Sequence, residues 1–227
     1  MPGAFIGAAE DTGLILWIGK WVLQEACRQL RAWNLQFPGT PAFTMSVNIS
    51  ARQFAQADLV SEVADILRET GLSPENLSLE LTESVTMRDE ERTMRLLGEL
   101  RKLTVRLCID DFGTGYSSLS YLRRFAVDIL KIDRSFVSDM LVNSESMEIV
   151  KTVLSLGSNL GMKVVAEGVE TAEQARQLRS LGCEFAQGYF FARPLDAAAV
   201  ARTLLVCETK SYTLPKEPLR QLVGPLT

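Results

Sequence analysis

Apolar positions recur at helical spacing between residues 15 and 30, where Ile15, Ile18, Val22, Leu23, Ala26 and Leu30 share one face, behind Asp11 and Thr12 as candidate caps. Farther along the chain the pattern shortens to apolar or β-branched runs at 44–49, 77–82, 105–110, 127–132, 163–167 and 184–190, and each run predicts a strand. Helical spacing returns between them: at Leu59, Val63, Ile66 and Leu67; at Met94, Leu97 and Leu100; at Ile149, Val153, Leu154 and Leu160; and at Ala175, Leu178 and Leu181. Gly71, Gly161 and Gly182 stand where these helices should stop, because glycine takes the left-handed conformation that closes a helix. Strands alternating with helices through short connections argue for a parallel sheet, and continuously apolar strands argue that both of its faces are covered. An α/β barrel fits best. A doubly wound open sheet is the alternative, because periodicity does not distinguish the two closures.

Residues 1–205 are expected to form one domain, followed by a weakly ordered tail at 206–227 in which Pro215 and Pro218 break any helix. At 227 residues and 47% hydrophobic content, the chain is long enough to bury a sizeable core. No apolar run approaches the roughly 18 residues of a membrane span, and the N-terminus does not read as a signal peptide, so a cytoplasmic protein with no membrane segment is expected. Four cysteines, Cys27, Cys108, Cys183 and Cys207, lack CxxC spacing and read as reduced core thiols. Histidine is absent, which excludes His-assisted nucleophilic triads and the usual zinc sites. A net charge of −4 without a basic stripe excludes a duplex nucleic-acid partner.

In α/β barrels the chemistry collects at the C-terminal ends of the strands. The polar residues interrupting or ending the apolar runs are Asn48, Glu80, Asp110 with Asp111, Lys131, Glu167 and Gln187, about one group per strand. Singly, a strand-end carboxylate is an ordinary helix cap. Six strands ending this way would crowd like charges into one mouth unless something cationic sits among them, and divalent metals bound by carboxylates and an amide meet that need. Two ions on shared carboxylates suit attack of water on a phosphodiester. Lys131 would then orient the water or stabilise developing negative charge, its plainer alternative being an ion pair with Asp110 or Asp111. The run Phe112–Ser118 carries Gly113 and Gly115 and reads either as a lid over a ligand or as a plain turn with Ser117 as a cap.

The stretches SVNISARQ (46–53), LELTES (79–84), DDFGTGYSSLSYL (110–122), LKIDRSF (130–136), VAEGVE (165–170) and AQGY (186–189) together resemble the EAL-type cyclic-di-GMP phosphodiesterases, in the family's order. The resemblance implies a modified eight-stranded TIM-type barrel, hydrolysis of cyclic-di-GMP to linear pGpG, and two Mg²⁺ or Mn²⁺ ions. It implies metal ligands at Asn48, Glu80, Asp110 and Asp111, and roles around the metal-bound waters for Lys131, Glu167 and Gln187. Glu83 is implied to anchor the loop after Asp111, a loop associated in the family with homodimer formation. Two strands that precede the first helix in the family, the second bearing a Glu-Ala-Leu glutamate, have no counterpart in this chain; Glu25-Ala26-Cys27 lies inside the predicted helix. Six of eight strands, an open edge completed by a partner protomer or by further residues of a parent protein, and weak activity of the isolated chain are therefore expected. A catalytically impaired domain that senses the nucleotide or binds another protein is the second reading, and a barrel enzyme of another chemistry the third.

Overall fold

Gly13 decides how the N-terminal helical stretch divides. In the computed structural model, which describes residues 5–38, 43–86, 89–114, 122, 124–125, 127–209 and 220–221, α1 (Ile6–Thr12) ends at Gly13 and α2 (Leu14–Gln36) begins directly after it. Gly13 has φ 79°, the left-handed region, and serves as the end of one helix and the start of the next. This corrects the expectation that Asp11 and Thr12 cap α2. Both lie in the last turn of α1, where the Thr12 hydroxyl donates to Ala8 O at 2.7 Å. Of the expected apolar face, Ile15, Leu23, Ala26 and Leu30 are buried and Ile18 and Val22 half-buried.

The remaining elements are β1 (Met45–Asn48), α3 (Ala51–Phe54), α4 (Leu59–Thr70), β2 (Leu77–Thr82), α5 (Glu83–Thr86), α6 (Glu90–Lys102), β3 (Arg106–Phe112), β4 (Ile129–Ile132), α7 (Arg134–Asp139), α8 (Ser144–Leu160), β5 (Lys163–Ala166), α9 (Ala172–Ser180), β6 (Phe185–Ala186), α10 (Ala197–Thr209) and β7 (Arg220–Gln221). Gly71 and Gly161 close α4 and α8 in the left-handed conformation, and Gly182, at φ 83°, follows α9. All six expected strands are present, and β7 adds a short seventh within the expected tail. The rest of that tail beyond α10 lies outside the described residues.

Every strand pairs in parallel with the next in sequence, in the order β1 to β7. A doubly wound sheet would reverse direction at a switch point; here the winding never reverses, and the sheet is the half-barrel member of the two alternatives. Among the described residues no strand covers the free side of β1. Alternation along the strands sorts the two faces. Leu77, Leu79 and Leu81 of β2, Leu107 and Ile109 of β3, and Leu130 and Ile132 of β4 join the large core beneath the helices. The intervening Cys108, Ile129, Val165 and Phe185 form a separate four-residue apolar layer on the inner face.

Two strand boundaries differ from expectation. The strand expected at 127–132 begins at Ile129; Asp128 just before it still joins both neighbouring strands, donating from its N–H to Leu107 O and accepting from Lys163 N at its carbonyl, each at 2.9 Å, while its side chain accepts from Leu107 N at 2.9 Å. The run expected to extend to residue 190 stops at Ala186, because Gly188 turns the chain and Phe191 N donates to Gly188 O at 3.0 Å. Cys27, Cys108 and Cys183 are buried and unbridged, as expected. Burial pushes the Cys27 thiol up to about 12 and the Cys183 thiol to about 11, so both stay protonated. The side chain of Cys207 lies outside the described residues.

Leu130 is fully buried beside Lys131. Leu130→Ala is expected to cost about 2–5 kcal/mol in urea unfolding. Val142→Ala, at a position 90% exposed, should stay within about 0.5 kcal/mol of the parent.

Candidate active site

Charged residues of the inner face gather beside the apolar layer, toward the C-terminal ends of the strands. Glu80 on β2, Asp110 on β3 and Lys131 on β4 all lie at the C-terminal side of the sheet and are buried. Glu167 follows β5, with its backbone N–H bonded to Ile132 O, and Gln187 follows β6, with its N–H bonded to Ala166 O, so both continue the ladder into the mouth. Lys131 Nζ lies 2.9 Å from Glu80 Oε2, 3.2 Å from Asp110 Oδ2 and 2.5 Å from Glu167 Oε1. The Gln187 amide donates to the same Glu167 oxygen.

Burial alone would push the Lys131 ammonium down, but Glu80, Glu167 and Asp110 outweigh it and hold the ammonium well above its ordinary value. It stays charged. Burial raises the Glu167 carboxyl to about 7 against the pull of Lys131, and repulsion from Asp110 and Glu80 adds to the rise. Breaking any one of these contacts strands a buried charge.

Asp111 reaches the same mouth only through an irregularity of β3. In a regular strand adjacent side chains point to opposite faces, and Asp111 would turn toward the helices. The pairing of β3 with β4 slips between Ile109 and Phe112, and Asp111 takes φ 54°, a left-handed conformation that aspartate tolerates better than most residues. Asp111 N donates to Asp110 Oδ1 at 3.0 Å. Oxygens of Asp110, Asp111 and Glu167 consequently lie within 4.8 Å of one another. Burial, then Asp110 and Asp133, push the Asp111 carboxyl up. Below the bulge, the buried Glu83 accepts from Gly113 N at 3.1 Å. Of the loop expected as a lid, Phe112–Ser118, residues 115–118 lie outside the described residues, the candidate cap Ser117 among them.

The donors suit a hard divalent cation: all are oxygens, and the four carboxylates Glu80, Asp110, Asp111 and Glu167 face one ammonium, Lys131, leaving negative charge for a cation to neutralise. Asn48 pairs in register with Glu80 but is exposed at the sheet edge, outside the Lys131 network. The ion pair anticipated for Lys131 with Asp110 exists; its other partners are Glu80 and Glu167. Asp133 was not among the expected site residues. Its negative charge helps push the Asp111 carboxyl up, and its side chain caps α7 by accepting from Ser135 N at 2.9 Å. Its signal was present: a carboxylate two positions after Lys131, at the end of the same strand. Arg134 bonds Glu170 at 2.7 Å across Gly168, tying the segments after β4 and β5 together.

The sequence profile described as the EAL domain matches residues 1–194. The chain belongs to the EAL domain family. Within that family it is 46% identical over 203 residues to the cyclic di-GMP phosphodiesterase NbdA of Pseudomonas aeruginosa, covering 89% of this chain and 26% of NbdA. It is 45% identical over 194 residues to the signaling protein YkoW of Bacillus subtilis, covering 86% of this chain and 24% of YkoW. The chain thus spans about a quarter of the length of these curated relatives. A solved EAL structure, the PaMucR phosphodiesterase in complex with c-di-GMP, superposes with a TM-score of 0.85 at 46% identity, covering 88% of this chain and 80% of that one.

The EAL mouth depends on Gly188. A Cβ there would lie 2.1 Å from Val169 O, a backbone clash that no side-chain motion relieves. Gly188→Ala should cost about 2 kcal/mol or more in chemical unfolding, whereas Gly182→Ala, where a Cβ meets nothing within 4 Å, should cost less.

Proposed function

We propose that this chain is the hydrolytic domain of a cyclic-di-GMP phosphodiesterase, opening the cyclic dinucleotide to linear pGpG in bacterial second-messenger signalling. The observation that carries this reading is the buried carboxylate cluster around Lys131 at the C-terminal mouth of a parallel half-barrel, in a chain about half identical to relatives named for that activity. Asn48, Glu80, Asp110 and Asp111 would hold two ions, Mg²⁺ or Mn²⁺. When bound, such ions activate a water and neutralise phosphate charge.

The chain's own residues do the rest. Lys131, kept charged by its carboxylate partners, stabilises the negative charge that develops on the phosphate oxygens and orients the attacking water. Glu167, fixed by Lys131 and the Gln187 amide, is placed to take the proton that the water loses. Glu83 holds Gly113 and so fixes the backbone that turns Asp111 into the mouth. The free side of β1, where Asn48 is exposed, is the edge on which a further strand of the same polypeptide or a partner protomer would complete the sheet, and a homodimer is the simplest assembly that supplies one. Among the described residues no helix is long and apolar enough to cross a membrane, which supports a cytoplasmic setting.

Chromatographic detection of pGpG tests the reaction on a form with the sheet completed. Lys131→Ala should lower turnover by about 10²–10³-fold while the variant still binds cyclic-di-GMP; turnover at the parent rate would remove Lys131 from the mechanism. Asp110→Asn should weaken Mn²⁺ binding by about 10–100-fold in calorimetric titration, and an unchanged affinity would remove Asp110 from the ligand set. Binding of cyclic-di-GMP without hydrolysis by the parent would instead establish the sensor reading.

A further inference from the structure

The two ends of the inner face carry opposite charge. Arg106 opens β3, four residues before Asp110, which places it ~13 Å from the carboxylate mouth at ~3.3 Å per residue. The apolar layer of Cys108, Ile129, Val165 and Phe185 lies between. At the N-terminal ends of β3, β4 and β5 there is a cavity of about 470 Å³, within the range of small-molecule sites. Arg101, Arg106 and Lys163 line it together with Val127, Ile129 and Met162.

Arg106 and Lys163 are the cations on which the site rests. Asp128 also lines the cavity, its Oδ2 accepting from Leu107 N at 2.9 Å, so one carboxylate there offsets one of these two cations. Arg106 donates to the neutral Thr44 hydroxyl at 3.3 Å, and Lys163 Nζ sits 5.3 Å from the centre of the Phe185 ring. Among the described residues neither cation has a carboxylate within ion-pair distance. Ser78, which faces Arg106 in the β2–β3 register, is fully buried, and its hydroxyl has no hydrogen-bond partner among the described residues. A buried polar group without a partner is uncommon; Ser78 lies next to Arg106 in the sheet and not in the cavity lining, so the site rests on Arg106, Lys163 and the apolar lining.

We propose that this floor of the half-barrel binds a small organic anion, a phosphate headgroup on an apolar body. A guanidinium and an ammonium converging on one cavity favour a doubly charged headgroup. The Val127, Ile129 and Met162 side chains supply the surface for the apolar part. The proposal is independent of the nucleotide chemistry assigned to the opposite mouth.

Phenyl phosphate is the probe, titrated calorimetrically into the full chain in the presence of EDTA, so that no metal draws phosphate to the carboxylates. Saturable binding at one site is expected, weakened about tenfold or more by Lys163→Gln and by Arg106→Gln. Lys163 is exposed, so its substitution keeps the test valid if Arg106→Gln fails to fold. Lys151→Gln, which removes an exposed lysine paired with Glu148 elsewhere, should leave the affinity unchanged. The proposal is overturned by the absence of saturation, by Lys163→Gln binding within twofold of the parent, or by an equal loss in Lys151→Gln. Inorganic phosphate binding as tightly as phenyl phosphate would overturn the apolar part of the assignment.

Discussion

A buried ammonium surrounded by carboxylates is the constraint around which this molecule is arranged. Neither sign of charge is tolerable alone at the depth of Lys131 and Glu80, both of which are under 5% exposed. Each can be there because strands β2, β3 and β4, with the segment after β5, deliver a partner within about 3 Å. The parallel order without reversal makes that possible, since it turns every strand's C-terminal end toward the same mouth. The large core between sheet and helices fixes the strands that carry the charges, and the polar mouth depends on the rigidity of the apolar side.

Membership of the EAL family follows from sequence similarity, while the arrangement of the site follows from packing. Glu167 shows the difference. Its place in the motif says nothing of its neighbours, but in the structure one of its oxygens is shared by Lys131 and the Gln187 amide. Gly188, pressed against the backbone of Val169, allows β6 and the segment after β5 to approach closely enough for that shared contact.

Much of this was legible in the sequence because it depends on local pattern. The six runs of apolar residues became six strands, since a strand covered on both faces must be continuously apolar. Gly71 and Gly161 ended their helices for a reason that belongs to glycine itself. Most candidate polar residues converge, because a strand's end is fixed once the strand is. What was not legible rests on neighbours distant in sequence. The break between α1 and α2 is the local exception: hydrophobic periodicity does not register it, and only the glycine at position 13 marks it. The slip of register at Asp110–Asp111 arises only against β4, so nothing in the local sequence shows that both aspartates face the same way. Asp133 is legible as a carboxylate just past β4, but its electrostatic effect on Asp111 is not, because it depends on the left-handed turn at Asp111.

The thin apolar layer of Cys108, Ile129, Val165 and Phe185 has a consequence for how this protein can change over time. It holds the acidic rim and the basic base ~13 Å apart as two compartments of one scaffold that share no contact among the described residues, a spacing at which substitutions act nearly independently. Each can then be selected for its own purpose.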